Sequence, residues 1–280
     1  MLTMASNISK LIPSDPEKVM IIRKLTPDVL TCSTPFLRAG RIKIGGRGTI
    51  VRMKTGSLAV FSPVALTETV KKETNNMGTV RYLVALDQEH HIFLESWHKA
   101  YPEAKILAPE TLPSLRDKQK YFQLPSTHLH LFRKTDTPSS VDPDFDSEFQ
   151  TEYVWSHVNK ELVFHHKPSK TLIQADLIFN LPATEQFSKS GTAADTGLLT
   201  KLMIALQNTR GTAIWQKRLL WYALSASDRG AFNESMKRIQ AWDFESIVPC
   251  HGNVIERDGK GVFEKVMEWH LKAAGSKKSS

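Results

Sequence analysis

The sequence predicts a mixed α/β (α+β) protein folded as a four-layer αββα sandwich, with two sheets face to face and helices outside. Three observations carry this expectation. Short apolar runs, helices, short apolar runs and helices follow one another along the chain, as two β-rich halves each finished by helices would. Runs in the first half are separated by Gly45, Gly46, Gly48 and Gly56, so tight turns join them in place of crossovers. The stretch 82–109, YLVALDQEHHIFLESWHKAYPEAKILAP, reads as strand, polar loop, helix and strand, with ligand-type side chains collected at one strand end.

In chain order, residues 1–17 read as a loose leader in which Pro13 and Pro16 oppose a helix. Runs at 19–22, 42–44, 49–53 and 58–61 are expected as strands, and 66–74 as a helix stopped by Gly78. Residues 82–86 make a strand that ends in Asp87, Gln88, Glu89, His90 and His91. Ile92, Phe93, Trp97 and Tyr101 then keep helical spacing until Pro102, and 105–108 is the next strand. After Pro109 the chain turns polar and irregular. His128 and His130 alternate in HLHLF as one strand face, and 135–150 reads as a surface loop. Strands are expected at 153–156, 161–164 and 171–174. The turn HKPSK before the last of them places His165 and His166 at an exposed hairpin end. Helices follow at 196–207, 213–223 and 227–242, the third entered through Ser225 and Asp228 and aligning Phe232, Met236 and Ile239. Trp215, Trp221 and Trp242 suit core packing on them. A strand at 246–249 and a helix at 262–272 complete the pattern. The expected organisation is a leader (1–17), a single domain (18–273) with a helical insertion (183–230), and a flexible tail (274–280).

The 280 residues, 41% of them hydrophobic, suffice for one large core. No apolar run is long enough to span a bilayer and no signal-peptide pattern is visible, so an intracellular, cytoplasmic setting and no membrane partner are expected. Two cysteines, Cys32 and Cys250, point to a reducing compartment without a disulfide framework. The 37 basic and 29 acidic residues leave a net charge of +8, but the basic positions are scattered and do not interleave with aromatics. Nucleic acid is therefore not an expected partner.

Chemistry-bearing residues gather at four strand ends: the loop 87–91, His157, Asp176 after TLIQA, and His251 in IVPCHGN. Singly, each has an ordinary reading as a loop histidine, a turn cap or a hydrogen-bonded histidine beside Gly252. Together they make a ligand set. Imidazole and carboxylate suit zinc, manganese and iron, and a hydrolytic site needs three or four such groups with one position left for water.

With these residues the chain resembles the metallo-β-lactamase-like superfamily, and within it the DUF4336 branch of uncharacterised domains, over about residues 19–271. PFLRAG at 35–40, SPVALT at 62–67 and HKPSKTL at 166–172 are also similar to that branch. The superfamily's first metal motif reads His-x-His-x-Asp-His, and this loop has no His-x-His. With His91 as the last histidine, Leu86 and Gln88 replace the pair and His90 the Asp. With His90 last, Ala85 and Asp87 replace the pair and Glu89 the Asp. A third register puts Asp87 and Glu89 in the pair, and the sequence leaves all three open.

The resemblance implies a hydrolase that uses one divalent metal ion, or two with one held weakly, zinc first with iron or manganese as alternatives. Its ligands would be drawn from His90, His91, His157, Asp176 and His251. A metal-activated water would attack an ester, thioester, lactone, amide or phosphoester, with Glu89 or Asp87 as general base. His166 is a candidate pocket group, and 183–230 would wall the pocket. The expected partner is a small-molecule substrate; the residues leave oligomeric state open. The alternative is a catalytically silent relative that keeps the fold to bind a ligand or partner. A redox or dioxygen-handling protein is a third reading and would require iron.

Overall fold

In the computed structural model, which describes residues 11–136 and 140–276, the short apolar runs pair into two main sheets and a small hairpin. The first half supplies β1 (Ile21–Thr26), β2 (Val29–Thr34), β3 (Leu37–Arg38), β4 (Ile42–Lys43), β5 (Gly46–Arg52), β6 (Ser57–Phe61), β7 (Thr79–Val84), β8 (Lys105–Pro109) and β9 (Leu129–Phe132). β3 and β4 form the hairpin, and the other seven strands form one sheet in the order β1-β2-β5-β6-β7-β8-β9. Pairing is antiparallel as far as β6, where connections are too short to cross over. It is parallel from β6 to β9, where the helices Glu68–Met77, Leu94–Ala100 and Leu112–Lys118 lie between successive strands. The second sheet runs β10 (Phe149–Val154), β11 (Glu161–His166), β12 (Thr171–Gln174) and β13 (Ser246–Pro249), with only the last pair parallel. The connection from β12 to β13 carries the helices Thr184–Phe187, Leu198–Leu206, Ile214–Leu219 and Arg229–Gln240.

Period-two alternation assigns the layers. Tyr82 and Val84 of β7 enter the core between the sheets, whereas Leu83 faces the outer helices beside Trp97 and Leu112. An aromatic cluster fills the space between the sheets: Phe145 stacks on Phe149 at 4.5 Å, and Phe61 lies 5.1 Å from Phe164. On the far side Phe232, Met236 and Ile239 pack on Val163, Leu172 and Ile247. The result is the αββα sandwich expected, and its strand ends bring the loops after β7, β10, β12 and β13 together.

Several local expectations are corrected. Pro16 opens a helix, Pro16–Val19, instead of preventing one, because the first helical position needs no N–H. Residues 1–10, the tail 277–280 and 137–139 of the expected loop lie outside the described residues. β2 is an unanticipated strand: VLTCST is rich in β-branched residues, and all six are buried. The region after Pro109, expected to be irregular, holds the helix Leu112–Lys118. The expected loop 135–150 contains the helix Pro143–Glu148, begun by Asp142, whose Oδ1 accepts from Phe145 N at 3.1 Å. Asp228 alone caps the helix Arg229–Gln240, since the Ser225 hydroxyl donates to Leu220 O. The last helix is two, Gly259–Val266 and Glu268–Ser276, separated at Met267. Trp215 is 51% exposed instead of packed, and His165 and His166 are buried on β11, which runs through them before turning.

Candidate metal centre

The loop after β7 is built around Asp87. Its buried Oδ1 accepts the backbone N–H of Glu89 (2.7 Å) and of His90 (2.8 Å), a local turn that an Asp at a strand end readily forms. The same oxygen takes the Nδ1–H of His90 at 2.8 Å, so Nε2 of His90 points inward. His251 is prepared in the same way from the other end of the chain. Its Nδ1 is 2.6 Å from Gly45 O, and a carbonyl can only accept, so that nitrogen carries a proton and Nε2 is the one turned inward. The turn beyond it needs Gly252, at φ 85°, because a Cβ there would stand 2.2 Å from Asn180 O.

His90 Nε2 and His251 Nε2 are 3.1 Å apart, and Asp176 Oδ1 is 3.2 Å from the latter. One ligand atom from each of the three residues lies within 4.8 Å of the others. Two imidazole nitrogens and a buried carboxylate oxygen without a hydrogen bond thus converge. Such a set repels itself unless a positive charge sits among it, which is the chemistry of a cation site. The residues therefore fit a divalent ion. Burial disfavours charge on His90, yet Asp87 and Asp176 outweigh it and raise its pKa well above the ordinary value. Burial would raise Asp176, but His90 and His251 hold it below the usual carboxylate range.

Other predicted residues take different places. His91 turns away from the triad: Arg116 Nη1 approaches its Nδ1 at 2.9 Å, and burial together with that guanidinium lowers its pKa to about 4. The loop thus offers one imidazole, His90, to the triad. His157 is fully buried, with its Nδ1 3.3 Å from Asn159 N and its Nε2 unpartnered, and it stands outside the triad. Burial lowers its pKa. Glu89 is exposed and pairs with Arg38 at 3.2 Å. His166 is not brought to the site. It contacts Ser169 Oγ at 2.7 Å and lines a separate cleft with Glu148, because β11 carries it to the opposite end of its strand from the loop holding His157.

Two groups escaped the sequence reading. Glu161, wholly buried, accepts the amides of Ala175 (2.8 Å) and Asp176 (3.1 Å) and so fixes the turn that presents Asp176. Burial, then Asp176 and Asp87, raise its pKa well above the ordinary range. Arg47 is buried and donates to Pro249 O (2.6 Å) and Gly252 O (2.8 Å), clamping the His251 turn from β5. Neither has a local signature, since one begins an ordinary strand and the other sits in a Gly-Arg-Gly run.

Over His90 and His251 lies a cavity of about 420 Å³ walled by Phe36, Pro63, Val64, Ile92, Phe93 and Tyr121, with Arg38 and Glu89 also lining it. The segment 183–230, expected to wall it, contributes none of its lining among the described residues. The hairpin β3–β4 intervenes, and the helix Leu198–Leu206 packs on that hairpin through Lys43 N and Thr200 Oγ1 at 3.1 Å.

Residues 40–210 match the family model described as "Domain of unknown function (DUF4336)". No curated protein matches the chain. Among solved structures, the fold is similar to a metallo-β-lactamase from Pontibacter korlensis (14% identity, TM-score 0.56, covering 90% of this chain and 98% of that one). It is likewise similar to the metallo-β-lactamase FIM-1 from Pseudomonas aeruginosa in its mono-zinc form (12% identity, TM-score 0.56, 92% and 99%). A flavo di-iron protein from Thermotoga maritima also matches (9% identity, TM-score 0.57, 90% of this chain and 62% of that one). At these identities the likeness is one of fold.

Proposed function

The chain belongs to the DUF4336 family and has a metallo-β-lactamase-like fold, and from that premise we propose that it is a hydrolase working with one divalent ion held by His90, Asp176 and His251. The observation that carries this reading is the convergence of two imidazole Nε2 atoms, beneath a cavity, with a carboxylate oxygen that has no hydrogen bond. An ion bound there, zinc first with iron or manganese as alternatives, supplies a Lewis acid that lowers the pKa of a water to about 7.

The protein's own groups do the positioning. Asp87 and Gly45 O hold the outer nitrogens of the two histidines, and Glu161 fixes the backbone of Asp176. Of the two general-base candidates, Asp87 is the better placed, being buried beside His90 with Oδ2 free, whereas Glu89 is exposed and paired to Arg38. The cavity walls are mainly apolar. The guanidiniums near it are engaged, Arg47 and Arg116 with backbone carbonyls and Arg38 with Glu89. A phosphoester would meet little free positive charge, so a neutral acyl substrate, an ester, thioester, lactone or amide, is favoured.

Elemental analysis of protein purified without chelator, coupled to a screen of ester, thioester, lactone and phosphoester substrates, tests the proposal. Metal near one equivalent per chain, lost in Asp176→Ala together with acyl hydrolysis, is the expected result. Folded wild-type protein that holds no metal and hydrolyses none of these would leave the alternative, a silent member that binds a ligand or partner.

A further inference from the structure

The helix Leu198–Leu206, LLTKLMIAL, is apolar on both sides, and only one side is covered. Its inner side, with Met203, Ile204 and the buried Thr200, packs on the hairpin β3–β4. Its outer side leaves Leu198 84%, Leu199 48% and Leu202 56% exposed. A helix apolar all round is ordinarily buried. The neighbouring helix Ile214–Leu219 and the turn Leu220–Leu224 that extends it add Trp215 (51% exposed) and, seven residues on, Tyr222 (69%). Five of the seven exposed large apolar side chains among the described residues thus sit on two helices that pack together.

Between the exposed Asp195 and Asp228, charge in the segment that carries this patch has one sign. Residues 196–227 hold Lys201, Arg210, Lys217 and Arg218 and no Asp or Glu. Lys217 turns inward to Glu268, while Lys201, Arg210 and Arg218 are exposed. We propose that this face docks on an anionic lipid bilayer. Leu198, Leu199, Leu202 and Trp215 enter the boundary between headgroups and acyl chains, and the three exposed cations meet lipid phosphates. Trp and Tyr are the aromatic residues that settle at this depth. No helix among the described residues is long and apolar enough to cross a membrane, so the two helices would lie in the plane of the interface.

A second copy fits the face less well. Two-fold pairing would set Lys201, Arg210 and Arg218 against themselves with only the flanking Asp195 and Asp228 to answer them. A stable dimer also draws on about 20–30 residues a side, more than these two short helices expose. The sequence led to no membrane partner, because no apolar run is long enough to span a bilayer and the cations are scattered along the chain. The fold collects them around exposed leucines, one hairpin away from the cavity that Arg38 and Ala39 line.

Sedimentation of the full-length protein with vesicles of phosphatidylcholine, alone or with phosphatidylserine added, tests this. The expected result is pelleting with the anionic vesicles that weakens in high salt. It should fall at least tenfold in Leu198→Glu/Leu202→Glu and roughly tenfold in Lys201→Ala/Arg218→Ala, both shown folded by circular dichroism. Absence of pelleting, equal pelleting with both lipid compositions, or binding unchanged in the leucine variant would overturn it. So would a dimer seen by light scattering without vesicles and abolished by the same leucine substitutions, which would assign the face to a second copy.

Discussion

Gly252 lies one residue beyond a proposed ligand, and its backbone leaves no room for a side chain against Asn180 O. Gly252→Ala should lower stability by about 2 kcal/mol or more, through the positive φ and the clash together, and pull His251 off Gly45 O. A urea titration beside metal content reads both effects. Asp87→Asn keeps the turn's acceptor oxygen but removes the charge on the His90 Nδ1–H bond, and roughly a 10- to 100-fold loss of metal affinity in a chelator competition is expected. Asp87, His90, Asp176 and His251 were legible in the sequence because each follows an apolar run of strand length. Glu161 and Arg47 were not, since their partners lie 14 and 202 residues away and no local pattern records such pairings. His166 was misread for the opposite reason. A turn signature next to it implied exposure, whereas the strand extends through it.

Strands were readable where a short apolar run stands between turn residues, as for β12 and β13, whose bounds match those expected from the sequence. The failures were elements whose polarity disguises them. β2 is half threonine and serine, and the helix Pro143–Glu148 is half acidic, held by its cap and by Phe145 reaching between the sheets. That aromatic layer joins the two halves of the sandwich. Phe164, fully buried and touching Phe61, Phe132 and Phe145, is its common member. Phe164→Ala should cost about 3–5 kcal/mol by leaving a cavity between the sheets, seen as a lower urea midpoint with an unchanged slope.

Buried neutral histidines make the whole molecule sensitive to acid. Burial lowers the pKa of His165 and, with help from Arg229, that of His270 from 6.5 to about 4. Between those two values the unfolded chain binds protons that the folded chain refuses, so stability is full above about pH 6.5 and declines as pH falls towards 4. Each group contributes on the order of 3 kcal/mol over that window. The urea midpoint should therefore drop between neutral pH and about pH 5, and His270→Gln should flatten that dependence. The clamp that Arg47 places on Pro249 O and Gly252 O has a consequence in time. During synthesis the Arg47 guanidinium has Ser33 Oγ as a partner from the start, but the two carbonyls it clamps are added only about two hundred residues later. A nascent chain therefore carries the Asp87–His90 pair and Asp176 without their third partner, and the three-residue set is complete only after residue 252 has left the ribosome.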